Sequence, residues 1–131
     1  MKLTIYTDGA ARGNPGPAGI GILIKQADKI IAEISDYIGE TTNNIAEYSA
    51  FIRGLEEAAK LKAKEVSVFC DSELLVKQIK GEYRVKNQGL RPLFARAKAL
   101  LDNFDKFSLK HIPREQNKEA DALANRGIDP V

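Results

Sequence analysis

Four carboxylates stand in settings that a solvated surface acid does not need. Asp8 closes the apolar run Lys2 to Tyr6 and precedes a turn that reaches Pro17. Asp71 follows a second apolar run, Glu65 to Cys70. Glu47 and Asp121 fall in segments of helical periodicity, each at the edge of an apolar stripe. Glu47 adjoins Tyr48, and its neighbours one turn on are Phe51 and Gly54, not charges. If these elements pack so that the four acids converge, their like charges repel unless something positive lies between them. Bound Mg²⁺ or Mn²⁺ meets that need, because hard divalent ions prefer carboxylate oxygens. Two such ions about 3.5–4 Å apart can activate a water and stabilise a leaving oxygen in phosphoryl transfer. Each acid also has an ordinary reading: Asp-Gly is a common turn signal, Asp71 suits capping of a helix starting at Ser72, and Asp121 suits solvent. Convergence is what separates the two.

The elements that must position these acids are legible as periodicities. Leu3 to Thr7 alternates as a first strand that ends at Asp8. Ala18 to Lys25 and Ile30 to Ile38 are apolar and β-branched, and with the first run they read as an antiparallel meander. Gly39 to Asn44 breaks the pattern. Ile45 to Lys62 then places Ile45, Tyr48, Phe51, Ile52, Leu55 and Ala58 on one helical face, with Thr42 or Asn43 as cap. Glu65 to Cys70 is a fourth strand, and the helix before it predicts a crossover to a parallel position beside strand one. Asp8 and Asp71 would then emerge on the same side of the sheet. A short helix follows over Ser72 to Lys80, a loop over Gly81 to Gly89, and a helix over Leu90 to Asn103. Lys106 to Ile112 alternates as strand five, with Phe107 and Leu109 expected inward, until Pro113 stops it. After a loop over Arg114 to Asn117, Lys118 to Arg126 forms a last helix with Ala120, Leu123 and Ala124 inward. The order is β-β-β-α-β-α-α-β-α, a mixed α/β fold with helices packed on a five-stranded sheet.

Composition bounds the function classes. At 131 residues the chain reads as a single domain, 1–131, and 44% hydrophobic residues supply a core. Twenty Lys and Arg against 18 Asp and Glu leave a net charge of +2, which does not by itself imply nucleic acid. The single cysteine, Cys70, excludes an internal disulfide and a Cys cluster for zinc. With no signal peptide and no apolar run of about 18 residues, the expectation is a cytoplasmic monomer with no membrane partner.

Four segments carry a resemblance. TDGAARGNPGPAG (7–19), TTNNIAEYSA (41–50), CDSELL (70–75) and NKEADALAN (117–125) resemble, in order and spacing, the signature blocks of type 1 ribonuclease H. The resemblance implies the ribonuclease H-like fold, with strands one to three antiparallel and strands four and five parallel to strand one. It implies hydrolysis of the RNA strand of RNA–DNA hybrids with two Mg²⁺ or Mn²⁺ ions, giving 5′-phosphate and 3′-OH ends. Double-stranded RNA is a further candidate substrate. The implied metal ligands are Asp8, Glu47, Asp71 and Asp121. Asn14, Asn43 and Asn44 match positions that contact the hybrid in its minor groove, where amides can both donate and accept. Thr42 matches a position that grips a DNA-strand phosphate. Backbone amides of the turn from Gly9 to Gly13 can add phosphate or ribose contacts.

The chain departs from the family pattern in three places. Ile79 to Asn87 (IKGEYRVKN) crosses directly an interval where many members carry a basic helix and loop, so this is a short form without the basic protrusion. Tyr83, Arg84 and Lys86 in that loop could track a DNA strand or be solvated. Glu73 stands where better-known members have a glutamine. The family often has a histidine on a loop before the last acid. Here the only histidine, His111, falls within the strand-five pattern, and Arg114 occupies the loop. Arg114 stays protonated, so it can stabilise charge but not act as a base. The leading expectation is therefore a metal-dependent endoribonuclease. Two other readings stay open: a catalytically weak or inactive hybrid-binding module of the same fold, and another nuclease of that fold such as a junction resolvase.

Overall fold

The computed structural model describes residues 1–129; the last two residues of the expected domain, Pro130 and Val131, lie outside the described residues. Its elements are β1 (Lys2–Ala11), β2 (Gly16–Gln26), β3 (Lys29–Thr41), α1 (Asn43–Lys60), β4 (Glu65–Cys70), α2 (Glu73–Ile79), α3 (Arg91–Leu101), β5 (Lys106–His111), a 3₁₀ turn (Arg114–Gln116) and α4 (Lys118–Ile128). The strands form one five-stranded sheet in the order β3-β2-β1-β4-β5. β1, β2 and β3 pair antiparallel, while β4 joins β1 in parallel and β5 joins β4 in parallel. The expected element order and strand directions are therefore both present.

One sheet face is apolar and covered by α1. Leu3 and Ile5 of β1, Ile20, Ile22 and Ile24 of β2, and Val66 and Val68 of β4 alternate onto it and are buried. Helix α1 brings Tyr48, Phe51, Leu55 and Ala58 against them. Burying a side chain of the size of Phe51 or Leu55 contributes about 1.5–3 kcal/mol. Helix α3 packs on α1 from outside. The opposite face is covered differently. Helix α4 lies over β1, β2 and β3, so close that a Cβ on Gly21 would fall 2.2 Å from the Ala120 carbonyl oxygen.

Several boundaries differ from the sequence reading, each for a local reason. β1 does not end at Asp8; it runs to Ala11 because β2 keeps pairing with it as far as Ala11 and Ala18. β4 ends at Cys70 as expected, its last ladder pair with β1 being Thr7 with Cys70. β3 continues through the expected break to Thr41, helped by a register shift at Ala18/Gly19 and by Gly39 at φ +86°. The cap of α1 is Thr42, whose Oγ1 accepts from the Ile45 amide at 3.3 Å. Ser72, not Asp71, caps α2, which leaves the Asp71 carboxylate free of that duty. Phe107, expected inward, is 47% exposed, because β5 is an edge strand and only Leu109 reaches the core. Between α2 and α3 no further helix occurs among the described residues, in keeping with the short form.

Candidate active site

The site begins where β4 runs out. Alternation points the main-chain groups of Thr7, Gly9 and Ala11 towards β4, but β4 ends opposite Thr7. Three side chains take its place. The Asn117 Nδ2 donates to the Thr7 carbonyl at 2.9 Å. The Gly9 amide donates to Glu47 Oε1 at 2.7 Å. The Ala11 amide donates to Asn43 Oδ1 at 3.3 Å. The orphaned edge of β1 is thus closed by α1 and by the residue that opens α4, as buried main-chain groups require. Gly9 permits this: a Cβ there would lie 2.1 Å from the Ala46 carbonyl carbon and 2.5 Å from the Glu47 amide nitrogen. Only glycine lets the first turn of α1 approach β1 that closely.

This arrangement gathers acids. Asp8, Glu47 and Asp71 each offer a carboxylate oxygen, all within 4.8 Å of one another. Asp8 is 5% exposed and Glu47 7%. Burial, then the charges of Glu47 and Asp71, push the Asp8 carboxyl far above the ordinary carboxylate range. Glu47 is also raised by burial, and the Gly9 amide and Arg114 charge oppose the rise. Two buried acids and a half-buried third this close are what a divalent cation would neutralise. Asp121 stands beside Asp8 from the α4 side and adds to the rise of its pKa, but lies outside the three-acid group. Its Oδ1 is buried without a hydrogen-bond partner and lies 3.8 Å from Arg114 Nη2. An unpartnered buried carboxylate oxygen next to three acids fits a cation ligand. The oxygen-only donor set fits Mg²⁺ or Mn²⁺.

The acids line a cleft of about 310 Å³ together with Gly9, Ala10, Asn43 and Arg114. Arg114 leads the 3₁₀ turn and is exposed, so it can move over the cleft. His111 lies elsewhere, ending β5 opposite Cys70. Around the cleft mouth, Asn14 Oδ1 accepts from the Asn43 amide at 3.0 Å, which ties the β1–β2 turn to the start of α1. Gly13 takes φ +112°, which favours glycine, and supports that turn. Asn44 is exposed in the first turn of α1. Thr42 spends its hydroxyl on the cap. Glu73 pairs with Lys77 at 3.0 Å, one turn along α2.

Sequence reasoning missed Asn117. The sequence places it at the end of a loop, whereas in the fold it is fully buried. Besides Thr7 it contacts Asp71 Oδ2 at 3.4 Å. It stands at the N-cap of α4 yet makes no side-chain cap bond. A buried polar side chain turned away from its own helix is a positioning residue, and only the fold reveals the turn.

The comparisons with known proteins agree with this geometry. A family model described as Reverse transcriptase-like matches residues 6–127. A ribonuclease H of Lachnoclostridium phytofermentans is 37% identical over 149 residues, covering 98% of this chain and 93% of that protein. The chain belongs to the ribonuclease H family. A bifunctional protein of Mycobacterium tuberculosis is 44% identical over 131 residues, but the chain spans only 36% of its length. The N-terminal RNase H domain of that protein, solved as a fusion with maltose binding protein, superposes with a TM-score of 0.95 at 43% identity, covering 98% of this chain and 100% of that one. LC11-RNase H1 in complex with an RNA/DNA hybrid superposes with a TM-score of 0.91 at 47% identity, covering 97% and 96% of the two chains. Asp8, Glu47 and Asp71, which form the three-acid group, come from three of the four resembling segments.

Proposed function

We propose that this chain is a metal-dependent endoribonuclease that cuts the RNA strand of RNA–DNA hybrids. The observation that carries the reading is the convergence of Asp8, Glu47 and Asp71 within 4.8 Å, in a chain 47% identical to an RNase H1 whose structure holds an RNA/DNA hybrid. Asp8, Glu47, Asp71 and Asp121 would hold two Mg²⁺ or Mn²⁺ ions. When bound, such ions supply charge neutralisation, an activated water and stabilisation of a leaving oxygen.

The other steps belong to the chain's own residues. Glu47 is held by the Gly9 amide, so its second oxygen is aimed into the cleft rather than free to rotate. Asn117 fixes Asp71 from behind. Arg114 offsets the charge that grows on the scissile phosphate and the 3′-oxygen. Asn14 and Asn43 form a hydrogen-bonded pair at the mouth, with Asn44 beside them. Their spare amide donors and acceptors suit ribose 2′-OH groups and base edges in an A-like minor groove. Thr42 flanks that pair, and its hydroxyl, which only accepts in the cap, would donate to phosphate; the amides of Gly9, Ala11 and Arg12, expected to help, are spent on Glu47, Asn43 and the Pro17 carbonyl. Products are expected with 5′-phosphate and 3′-OH ends. Double-stranded RNA shares the groove shape and the 2′-OH groups, so it is the expected secondary substrate.

One assay tests the reading. Labelled RNA–DNA, RNA–RNA and DNA–DNA duplexes are incubated with Mg²⁺ and with Mn²⁺. Cleavage of the RNA strand of the hybrid, and none of DNA–DNA, is expected. Hybrid binding without cleavage in either ion would establish a binding module instead.

A further inference from the structure

The sheet face opposite α1 is only half covered. Helix α4 packs on β1, β2 and β3, and the part of that face formed by β4, β5 and the first half of β1 stays open. Alternation places Lys2, Thr4, Tyr6 and Asp8 of β1 on this face, with Glu65, Ser67 and Phe69 of β4 and Lys106, Ser108 and Lys110 of β5 beside them in register. Tyr6 and Phe69 are half-buried, and their rings stack with centroids 5.2 Å apart and planes 22° from parallel. Lys25 of β2 holds its Nζ 5.6 Å from the Tyr6 ring centroid. Lys110 pairs with Phe69 on the other side. The result is a band across four strands, about 14 Å wide at the usual strand spacing: Tyr6, Phe69 and Lys110 lie in register, and Lys25, opposite Thr4, reaches Tyr6 diagonally.

Cross-strand packing accounts for two rings on neighbouring strands. It does not account for a lysine at each end, nor for the small hydroxyl residues Thr4, Ser67 and Ser108 that keep the surroundings low. Away from the acid cleft, charge on this half-face is mostly positive. Lys2, Lys25, Lys106 and Lys110 stand with Glu65, which is bridged to Lys2 at 3.5 Å, and Asp8 lies at the cleft end. Aromatic faces for bases, with flanking cations for phosphates, are the recognition chemistry of an unpaired strand. A duplex buries its base faces and could not use the rings. The band also points at the acid cleft, since Tyr6 precedes Asp8 by two residues on the same strand face.

We propose that this open half-sheet is a platform for single-stranded nucleic acid, with Tyr6 and Phe69 as the stacking pair and Lys25 and Lys110 as the phosphate clamps. It is separate from the duplex cleft and would hold an unpaired overhang that continues past the acids. Stacking reads a base face and a charge, so RNA and DNA single strands should bind alike.

The test uses the full chain with EDTA present, so that binding is read without cleavage. Fluorescein-labelled dT12 and rU12 are titrated by anisotropy at low salt. Wild type is expected to bind both. Tyr6→Leu with Phe69→Leu keeps apolar cover but removes the rings, and should weaken binding about tenfold. Lys25→Gln with Lys110→Gln should weaken it and remove about two phosphate contacts from the salt slope. Cleavage of a blunt hybrid should be unchanged in that lysine variant. A second reading needs no loss of packing. The chain has no Trp, so tyrosine is its emitter, and the fall in emission on adding dT12 should be largely lost in Tyr6→Phe. Wild-type affinity in the ring variant, an undiminished fall in Tyr6→Phe, or no binding of either oligonucleotide to wild type overturns the proposal.

Discussion

Glu47 accepts the amide of Gly9 at 2.7 Å across 38 residues of chain. That bond does two jobs. It satisfies a β1 donor that β4 no longer reaches, and it fixes one oxygen of a buried acid so that the other faces Asp8 and Asp71. The geometry of the acid group is therefore tied to the place where one strand of a parallel pair ends.

Gly9→Ala tests this tie. Its Cβ would meet Ala46 backbone at 2.1 Å, and backbone cannot yield as a flexible side chain can. A loss of about 1–3 kcal/mol in stability is expected from the overpacking, with kcat falling more than KM rises. Thermal melts and hybrid kinetics measure both. Wild-type kcat in a folded variant would show that α1 need not lie so close.

Asp8→Asn and Asp71→Asn should each cut kcat by about a thousandfold or more. Hybrid affinity should persist or improve, because a repulsive charge is removed from the cleft. Cleavage by either variant at the wild-type rate would remove that acid from the metal set.

Asn117→Leu leaves the Thr7 carbonyl without a donor and Asp71 without its brace. A cost of about 1–3 kcal/mol is expected from the unsatisfied group. Mn²⁺ affinity, read by titration calorimetry, should drop about 10-fold to 100-fold. A purely structural role would lower stability while leaving Mn²⁺ affinity alone.

The metal-free protein should show an inverted pH response. Burial, with the charges of Glu47 and Asp71, lifts Asp8 from 3.8 to about 10, and burial lifts Glu47 from 4.5 to about 7. An acid raised in the folded state stabilises fully below its unfolded pKa, and that stability is lost as pH rises through the folded value. Melting temperature in EDTA should therefore fall from about pH 4 upward. Saturating Mg²⁺ should abolish the fall, and Asp8→Asn should shrink it. A flat profile in EDTA would contradict the crowding of these acids.

Arg114→Ala should reduce kcat by about 10-fold to 100-fold, since it removes one charge-stabilising group from the cleft. His111→Ala should change it less than about twofold, because His111 ends an edge strand rather than lining the cleft. The reverse ranking would put the proton chemistry on the histidine.

Periodicity made most of the fold legible. The alternation of β1, β2 and β4 and the helical stripe of α1 each follow from which residues must be dry. Strand ends were less legible, because they depend on neighbours. Asp8 lies inside β1, and what ends beside it is β4, a strand some 60 residues on by sequence. Phe107 had the right period for burial but stands on an edge strand, where it stays exposed. The four acids stood out as charges against apolar stripes. Asn117 did not, because an asparagine before a helix has a ready local explanation, and its real partners lie 46 and 110 residues away.

The substitution of side chains for β4 along the β1 edge also bears on how the molecule assembles. Gly9 and Ala11 obtain their hydrogen bonds only from α1, and Thr7 only from the head of α4. These bonds close loops of 38, 32 and 110 residues, so they should form late, after the local hairpins of the meander. The amide protons of Gly9 and Ala11 are thus natural reporters. Their slowing in hydrogen exchange marks the moment when a folded sheet acquires its acid cleft.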